Sequence, residues 1–165
     1  MNRTHIKITD YQLIVLMGVS KLLIHFATNT IYGLHRDEFL YFEMGKHLDW
    51  GYMEISPALP VLAKIAHWLG GSVFAIRLFP ALIGSLKLVL CCLLAKELSG
   101  RTWAVIFTGV FLLFSPSLLA SGTLFQPVTL NQLFWIFSAF LLVKILKSGH
   151  RKYWWWLGIV VGWGY

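Results

Sequence analysis

The stretch His35-Arg36-Asp37-Glu38-Phe39-Leu40-Tyr41-Phe42-Glu43, continued after four residues by Leu48-Asp49-Trp50-Gly51-Tyr52-Met53-Glu54, holds five of the chain's seven acidic residues. Apolar runs of membrane length flank it. Solubility alone does not concentrate carboxylates between such runs, so the window reads as a polar site on a loop between membrane helices.

Composition supports that setting. Of 165 residues, 58% are hydrophobic and 13% charged, and mean hydropathy is +0.69. An ordinary soluble surface is excluded, and the chain belongs in a bilayer. The net charge of +7 does not point to nucleic acid, because the basic residues are scattered at the ends of apolar segments and form neither a face nor a run. Cys91 and Cys92 are adjacent inside an apolar run, where they act as small hydrophobes, and there is no disulfide framework. Residues 1–7 are basic and precede a long apolar run with no small-x-small cleavage pattern, which predicts a retained anchor.

A first membrane helix is expected over residues 11–33, close to the ~20 residues that a helix rising ~1.5 Å per residue needs to cross hydrocarbon. Two shorter helices follow within the acidic loop. The first repeats Leu40, Met44 and Leu48, with Glu43, Lys46 and His47 opposite. The second starts at Ser56-Pro57, stops at Gly70-Gly71 and lines one side with Ala58, Leu62, Ile65 and Leu69. It is expected at the membrane interface, with Trp68 at headgroup level.

Further membrane helices are expected over 73–98, 103–122 and 129–146, with Pro116 near the far end of the second of these, where a lost hydrogen bond costs less. A fifth begins at Tyr153, and thirteen residues reach ~20 Å against a hydrocarbon core of ~30 Å. The expected fold is all-α: a polytopic membrane helix bundle with an external loop carrying two short interfacial helices. Residues 1–165 read as one truncated membrane domain with about four complete transmembrane helices and part of a fifth.

Orientation follows from Lys and Arg near the helix ends. Arg3 and Lys7, then Lys96 and Arg101, then Lys144, Lys147, Arg151 and Lys152 fall on one side by alternation, and that side is expected to be cytoplasmic. In a multi-pass protein of the cell membrane, the acidic loop and the 123–128 loop then share the periplasmic or extracellular face.

Within the loop, Asp37 has two readings. A partly desolvated carboxylate at the membrane surface can take a proton from an acceptor hydroxyl, whereas an acid at a helix start is favoured by exposed N–H groups whatever the function. Glu38 can orient Asp37, bind a metal or pair with Arg36. Asp49 and Glu54 are solvated loop charges or contacts to sugar hydroxyls. His35, Asp37, Glu38 and His47 lack metal-ligand spacing, so no metal ligand is assigned and a divalent cation stays open. Lys87 sits mid-helix, where a charge needs a partner, a wet cavity or a task such as a lipid-phosphate contact. Arg77 near the loop end is an interfacial anchor or a phosphate ligand, and Asn131 a cap of the fourth membrane helix or a substrate contact. Lys21 and His25, one helical turn apart, raise the same question as Lys87.

From His35-Arg36-Asp37-Glu38 through Leu48-Asp49-Trp50-Gly51-Tyr52, the sequence resembles the N-terminal third of the family 39-like glycosyltransferases of the C-type membrane fold. That group includes the protein O-mannosyltransferases and the bacterial aminoarabinose transferases. The likeness continues through Phe74-Ala75-Ile76-Arg77-Leu78-Phe79-Pro80, Ala95-Lys96-Glu97-Leu98-Ser99-Gly100 and Leu124-Phe125-Gln126-Pro127 before Leu133-Phe134-Trp135. Two places depart from it: Ser56-Pro57-Ala58-Leu59 stands where many relatives have Pro-Pro-Leu, and Asn131 where bacterial relatives often have aspartate.

The resemblance implies an inverting transferase that moves a sugar from a polyprenyl-phosphate carrier to a lipid, glycan or protein acceptor at the external face. It makes Asp37 the catalytic base or acceptor-positioning residue and Glu38 its acidic partner. Asp49, Glu54, Arg77, Lys87 and Asn131 are the candidate substrate-binding residues. Two alternatives stand beside it. One is a non-catalytic remnant or subunit completed by a partner chain; the other is a small transporter whose polar path uses Lys21, His25 and Lys87.

Overall fold

The computed structural model describes residues 9–50, 52 and 55–164. Arg3, Lys7 and Glu54 therefore lie outside the described residues. Eight helices are described: α1 (Asp10–Thr28), α2 (Arg36–Met44), α3 (Ala58–Trp68), α4 (Val73–Ser99), α5 (Thr102–Phe114), α6 (Pro116–Ser121), α7 (Pro127–Ser148) and α8 (Lys152–Gly164). No strand occurs among the described residues. The all-α membrane bundle is what the hydropathy pattern leads one to expect, and α1, α4 and α7 are long and apolar enough to cross a membrane.

Local chemistry sets the helix ends. Thr9 and Gln12 form a capping box at the start of α1, and the Ser72 hydroxyl accepts from the Ala75 N–H at 3.1 Å to open α4. At the other ends of α4 and α7, Gly100 and Gly149 adopt φ of +67° and +64°, a left-handed turn that costs glycine no Cβ clash.

The single helix expected over 103–122 is two helices. Ser115 is extended, at φ −68° and ψ 117°, because a residue before proline avoids the helical region and Pro116 has no N–H to continue the ladder. The Leu112 carbonyl, four residues before Pro116, loses its helical donor and accepts instead from Lys21 Nζ of α1 at 3.0 Å. The fourth membrane helix also begins earlier than expected, at Pro127. Asn131 therefore lies about one turn inside α7 and does not cap it.

Helix α4 is the axis, with α1, α3, α5, α6 and α7 all packed on it and α8 packed on α7. One end of the bundle is tied by charge. Lys96 meets Asp10 at 3.4 Å, Thr102 Oγ1 donates to Asp10 at 2.8 Å, and Lys144 and Lys147 both reach Glu97. A core of Ile14, Leu88, Cys92 and Val105 lies toward that end. The opposite end carries both polar loops, and around it Ala58, Leu59, Ala63, Ala66, Ile76, Phe125 and Leu130 form a second core.

The two loop helices clamp one another. Helix α3 buries Ala58, Leu59, Ala63 and Ala66 and leaves Leu69 exposed. Of the stripe expected along one side, Ala58 is buried and Leu62 is partly buried against the same core, and the fully buried positions are mostly small residues. Close approach explains this: a methyl placed on Gly45, the cap of α2, would stand 2.6 Å from the Lys64 backbone nitrogen. The Phe42 and His67 rings stack with centroids 3.7 Å apart, and the His67 Nε2 to Phe42 carbonyl distance is 2.9 Å.

Candidate active site

The N-terminus of α2 brings two adjacent carboxylates to the loop end and gives them opposite environments. His35 is the N-cap, its ring Nδ1 accepting from the Asp37 N–H at 3.4 Å. Glu38, three residues on, accepts from the His35 N–H at 2.7 Å and completes a capping box. Successive helical residues point about 100° apart, so Glu38 turns into the protein when Asp37 turns out. Their side chains are 0% and 40% exposed.

Glu38 is saturated with donors. Besides His35, its carboxylate accepts from the Phe125 N–H at 2.9 Å and from Arg77 at 3.1 Å. It thereby joins the acidic loop, the start of α4 and the 122–126 loop. Its cationic partner is Arg77, 39 residues away, and not the neighbouring Arg36. Arg77 in turn donates to the carbonyls of Asn29, Tyr32 and Gly33 at 2.9, 2.8 and 2.6 Å, groups left over where α1 ends. Asn29 returns a bond to the Arg77 carbonyl at 3.3 Å. A buried ion pair needs such extra hydrogen bonds to offset its desolvation.

The capping role available to an acid here has thus fallen to Glu38 and His35. Among the described residues no backbone N–H donates to the Asp37 carboxylate, and its neighbours are Arg36 Nε at 3.3 Å and His35 Nδ1 at 3.8 Å. It is open to solvent at the loop end, where a carboxylate can receive a proton from an approaching hydroxyl.

The other candidates separate. Asp49 sits in a knotted turn: its carboxylate accepts from the Trp50 N–H at 2.7 Å, while its own N–H donates to the Tyr52 hydroxyl, which donates to the His47 carbonyl. Asn131 lines a cavity of about 640 Å³ between α7 and α8, together with Tyr52 and Ser56 of the loop. The Ser56 hydroxyl also donates to the Trp163 carbonyl at 2.5 Å, which brings α8 up to the loop. Arg77 is buried behind Glu38, and Lys87 is buried between α4, α6 and α7, away from the loop pair. Glu43, on the exposed side of α2, has its carboxyl held below the usual carboxylate range by a hydrogen bond from Lys46. Among the described residues no group of three or more His, Cys, Asp and Glu side chains is gathered as for a metal.

Residues that sequence reasoning passed over also matter. Asn29, the Phe125 backbone and Gln132 each hold one of the buried charges. Gln132 carried a signal, since a carboxamide inside a membrane-length helix is costly unless it has a partner. The Phe125 N–H, being backbone, carried none.

The profile of the dolichyl-phosphate-mannose-protein mannosyltransferase family matches residues 55–165. That span takes in α3 to α8 and excludes Asp37 and Glu38. No curated protein and no solved structure matches the chain. Two-thirds of the sequence, folded as apolar helices around α4, thus carries the family's pattern, and the chain belongs to the dolichyl-phosphate-mannose-protein mannosyltransferase family of membrane glycosyltransferases.

Proposed function

We propose that the chain takes part in inverting transfer of a sugar from a polyprenyl-phosphate-linked donor to an acceptor at the external face of the membrane, with Asp37 as the base that activates or positions the acceptor hydroxyl. One observation carries this reading: of two adjacent carboxylates, Glu38 is sealed and saturated while Asp37 is open. In this mechanism Glu38 is a positioning residue. By fixing the start of α2 against Arg77 and Phe125, it holds Asp37 at the loop end.

The donor's lipid tail enters from the bilayer, and the acceptor is held over the loop by polar groups such as Asp49, Glu54 and Asn131. Single displacement of the phosphate by the acceptor oxygen inverts the anomeric carbon. Asp37 takes the proton and the polyprenyl phosphate leaves with the bonding pair. The test is donor dependence. The protein expressed from its native reading frame, in proteoliposomes, is expected to transfer sugar from a polyprenyl-phosphate sugar and not from the matching nucleotide sugar. Equal transfer from the nucleotide sugar would overturn the reading.

A further inference from the structure

The helix that carries Asp37 is opened by a residue whose charge responds to pH. Thr9 opens α1 and Ser72 opens α4, both through hydroxyl groups, whereas His35 opens α2. Serine, threonine, aspartate and asparagine are the ordinary caps, and histidine is the side chain that changes charge between about pH 5 and 8.

The His35 ring meets Asp37 in two ways. Its Nδ1 accepts from the Asp37 N–H at 3.4 Å, and the same Nδ1 stands 3.8 Å from Asp37 Oδ2. Accepting needs a lone pair on Nδ1, so in this arrangement the ring is neutral and carries its proton on Nε2. The backbone beneath it is fixed, because the His35 N–H donates to Glu38, which also accepts from Arg77 and from the Phe125 N–H. The His35 side chain itself is 52% exposed, so protons from the medium reach it.

Protonation at Nδ1 reverses both contacts. An imidazolium has two N–H donors and no acceptor, so the Asp37 N–H loses its cap and the new Nδ1–H has Asp37 Oδ2 within reach. Arg36 Nε already donates to the other carboxylate oxygen, Oδ1, at 3.3 Å. With cations on both oxygens the carboxylate is a poorer base, because an opposite charge that close stabilises its ionised form. Positive charge at a helix N-terminus also opposes the helix dipole and weakens the turn that carries Asp37. The other charged groups about His35 are Glu38 of α2 and Arg77 of α4, which are paired with each other.

We propose that His35 is a proton-operated positioning residue for Asp37: the neutral ring caps α2 and leaves the Asp37 carboxylate free to take a proton, and protonation turns Nδ1 from cap to partner of that carboxylate and withdraws the base. Acid at the loop end thereby switches transfer down. The proposal rests on the reading of Asp37 as the base.

Two readouts separate the switch from the reaction. In the full-length protein in detergent, NMR is expected to show the Asp37 amide shifting with the same midpoint as the His35 ring, and to show no such step in His35→Asn, whose side chain caps a helix without titrating. In proteoliposomes, kcat/KM for transfer from a polyprenyl-phosphate sugar is expected to fall about tenfold or more from pH 8 to pH 5 in the native protein, as a neutral histidine population does. In His35→Asn that limb is expected to vanish, although His47 and His67 of the same loop are unchanged. His35→Ala, which lacks a cap, is expected to transfer more slowly than His35→Asn across the range. An Asp37 amide that ignores the His35 titration, or the same acid limb in the native protein and His35→Asn, would overturn the proposal. If His35→Asn fails to fold, the native Asp37 amide still decides. An amide that follows the ring in a protein that transfers no sugar at any pH supports the switch and overturns the reading of Asp37 as the base.

Discussion

The Arg77 guanidinium lies 3.1 Å from the Glu38 carboxylate, with side-chain exposures of 5% and 0%. The pair joins the first turn of α2 to the second turn of α4. Removing one partner of a buried pair leaves the other charge uncompensated, at a cost of about 3–5 kcal/mol. Arg77→Met and Glu38→Gln are each expected to destabilise the protein by about that amount, with Arg77→Met the worse because three carbonyls also lose their donor. The double variant is expected to lose less than the sum. Thermal unfolding of the four proteins in detergent checks this, and strict additivity would contradict the coupling.

Gly45 is the point of closest approach between α2 and α3, and the obstacle to a larger residue there is the Ala63 and Lys64 backbone. Backbone yields less readily than a flexible side chain. Gly45→Ala is expected to cost about 1–3 kcal/mol, as overpacking does, and to loosen the Phe42 and His67 stack. Amide hydrogen exchange over α2 and α3 measures this, and unchanged protection would contradict it.

Lys21 serves the carbonyl that Pro116 leaves without a donor. Lys21→Met is expected to cost about 1–3 kcal/mol in the native background, through that unsatisfied carbonyl. In a Pro116→Ala background the cost is expected to shrink, because residue 116 regains an N–H for Leu112. Equal costs in the two backgrounds, read by thermal unfolding, would disprove the link.

Glu43 gives a pH signature outside the membrane helices. Its folded-state pKa lies below the ordinary value of 4.5 because Lys46 donates to the carboxylate. Its contribution to stability is thus complete above the unfolded value and lost as pH falls through the depressed folded one. The contribution is small, since the pair is exposed. An NMR titration is expected to show a Glu43 midpoint below 4.5 that returns toward that value in Lys46→Gln. A midpoint that does not move would contradict the Lys46 bond.

Much of the architecture was legible because it rests on local chemistry. The starts and stops of α3 and α4 follow from caps, prolines and glycines within a residue or two, and α8 starts one residue before the expected Tyr153. Pro116 was visible too, but its consequence depended on Lys21 standing ready to satisfy Leu112, and no local pattern reports a partner 91 residues away. The same limit applied at the site. An Asp-Glu pair after the first helix was plain, yet Arg36 was the obvious cation for Glu38 by sequence distance, and the fold supplied Arg77. Asn131 looked like a cap because the apolar run was taken to start at Thr129, whereas Pro127 opens α7.

The central claim rests on Asp37, and the most direct measurement is the rate of sugar transfer from a polyprenyl-phosphate donor by the native protein and by Asp37→Asn, matched for membrane insertion. Loss of general-base help is expected to lower the rate roughly 100- to 10,000-fold while insertion and thermal stability stay unchanged. Full activity in Asp37→Asn would contradict the assignment of Asp37 as the base.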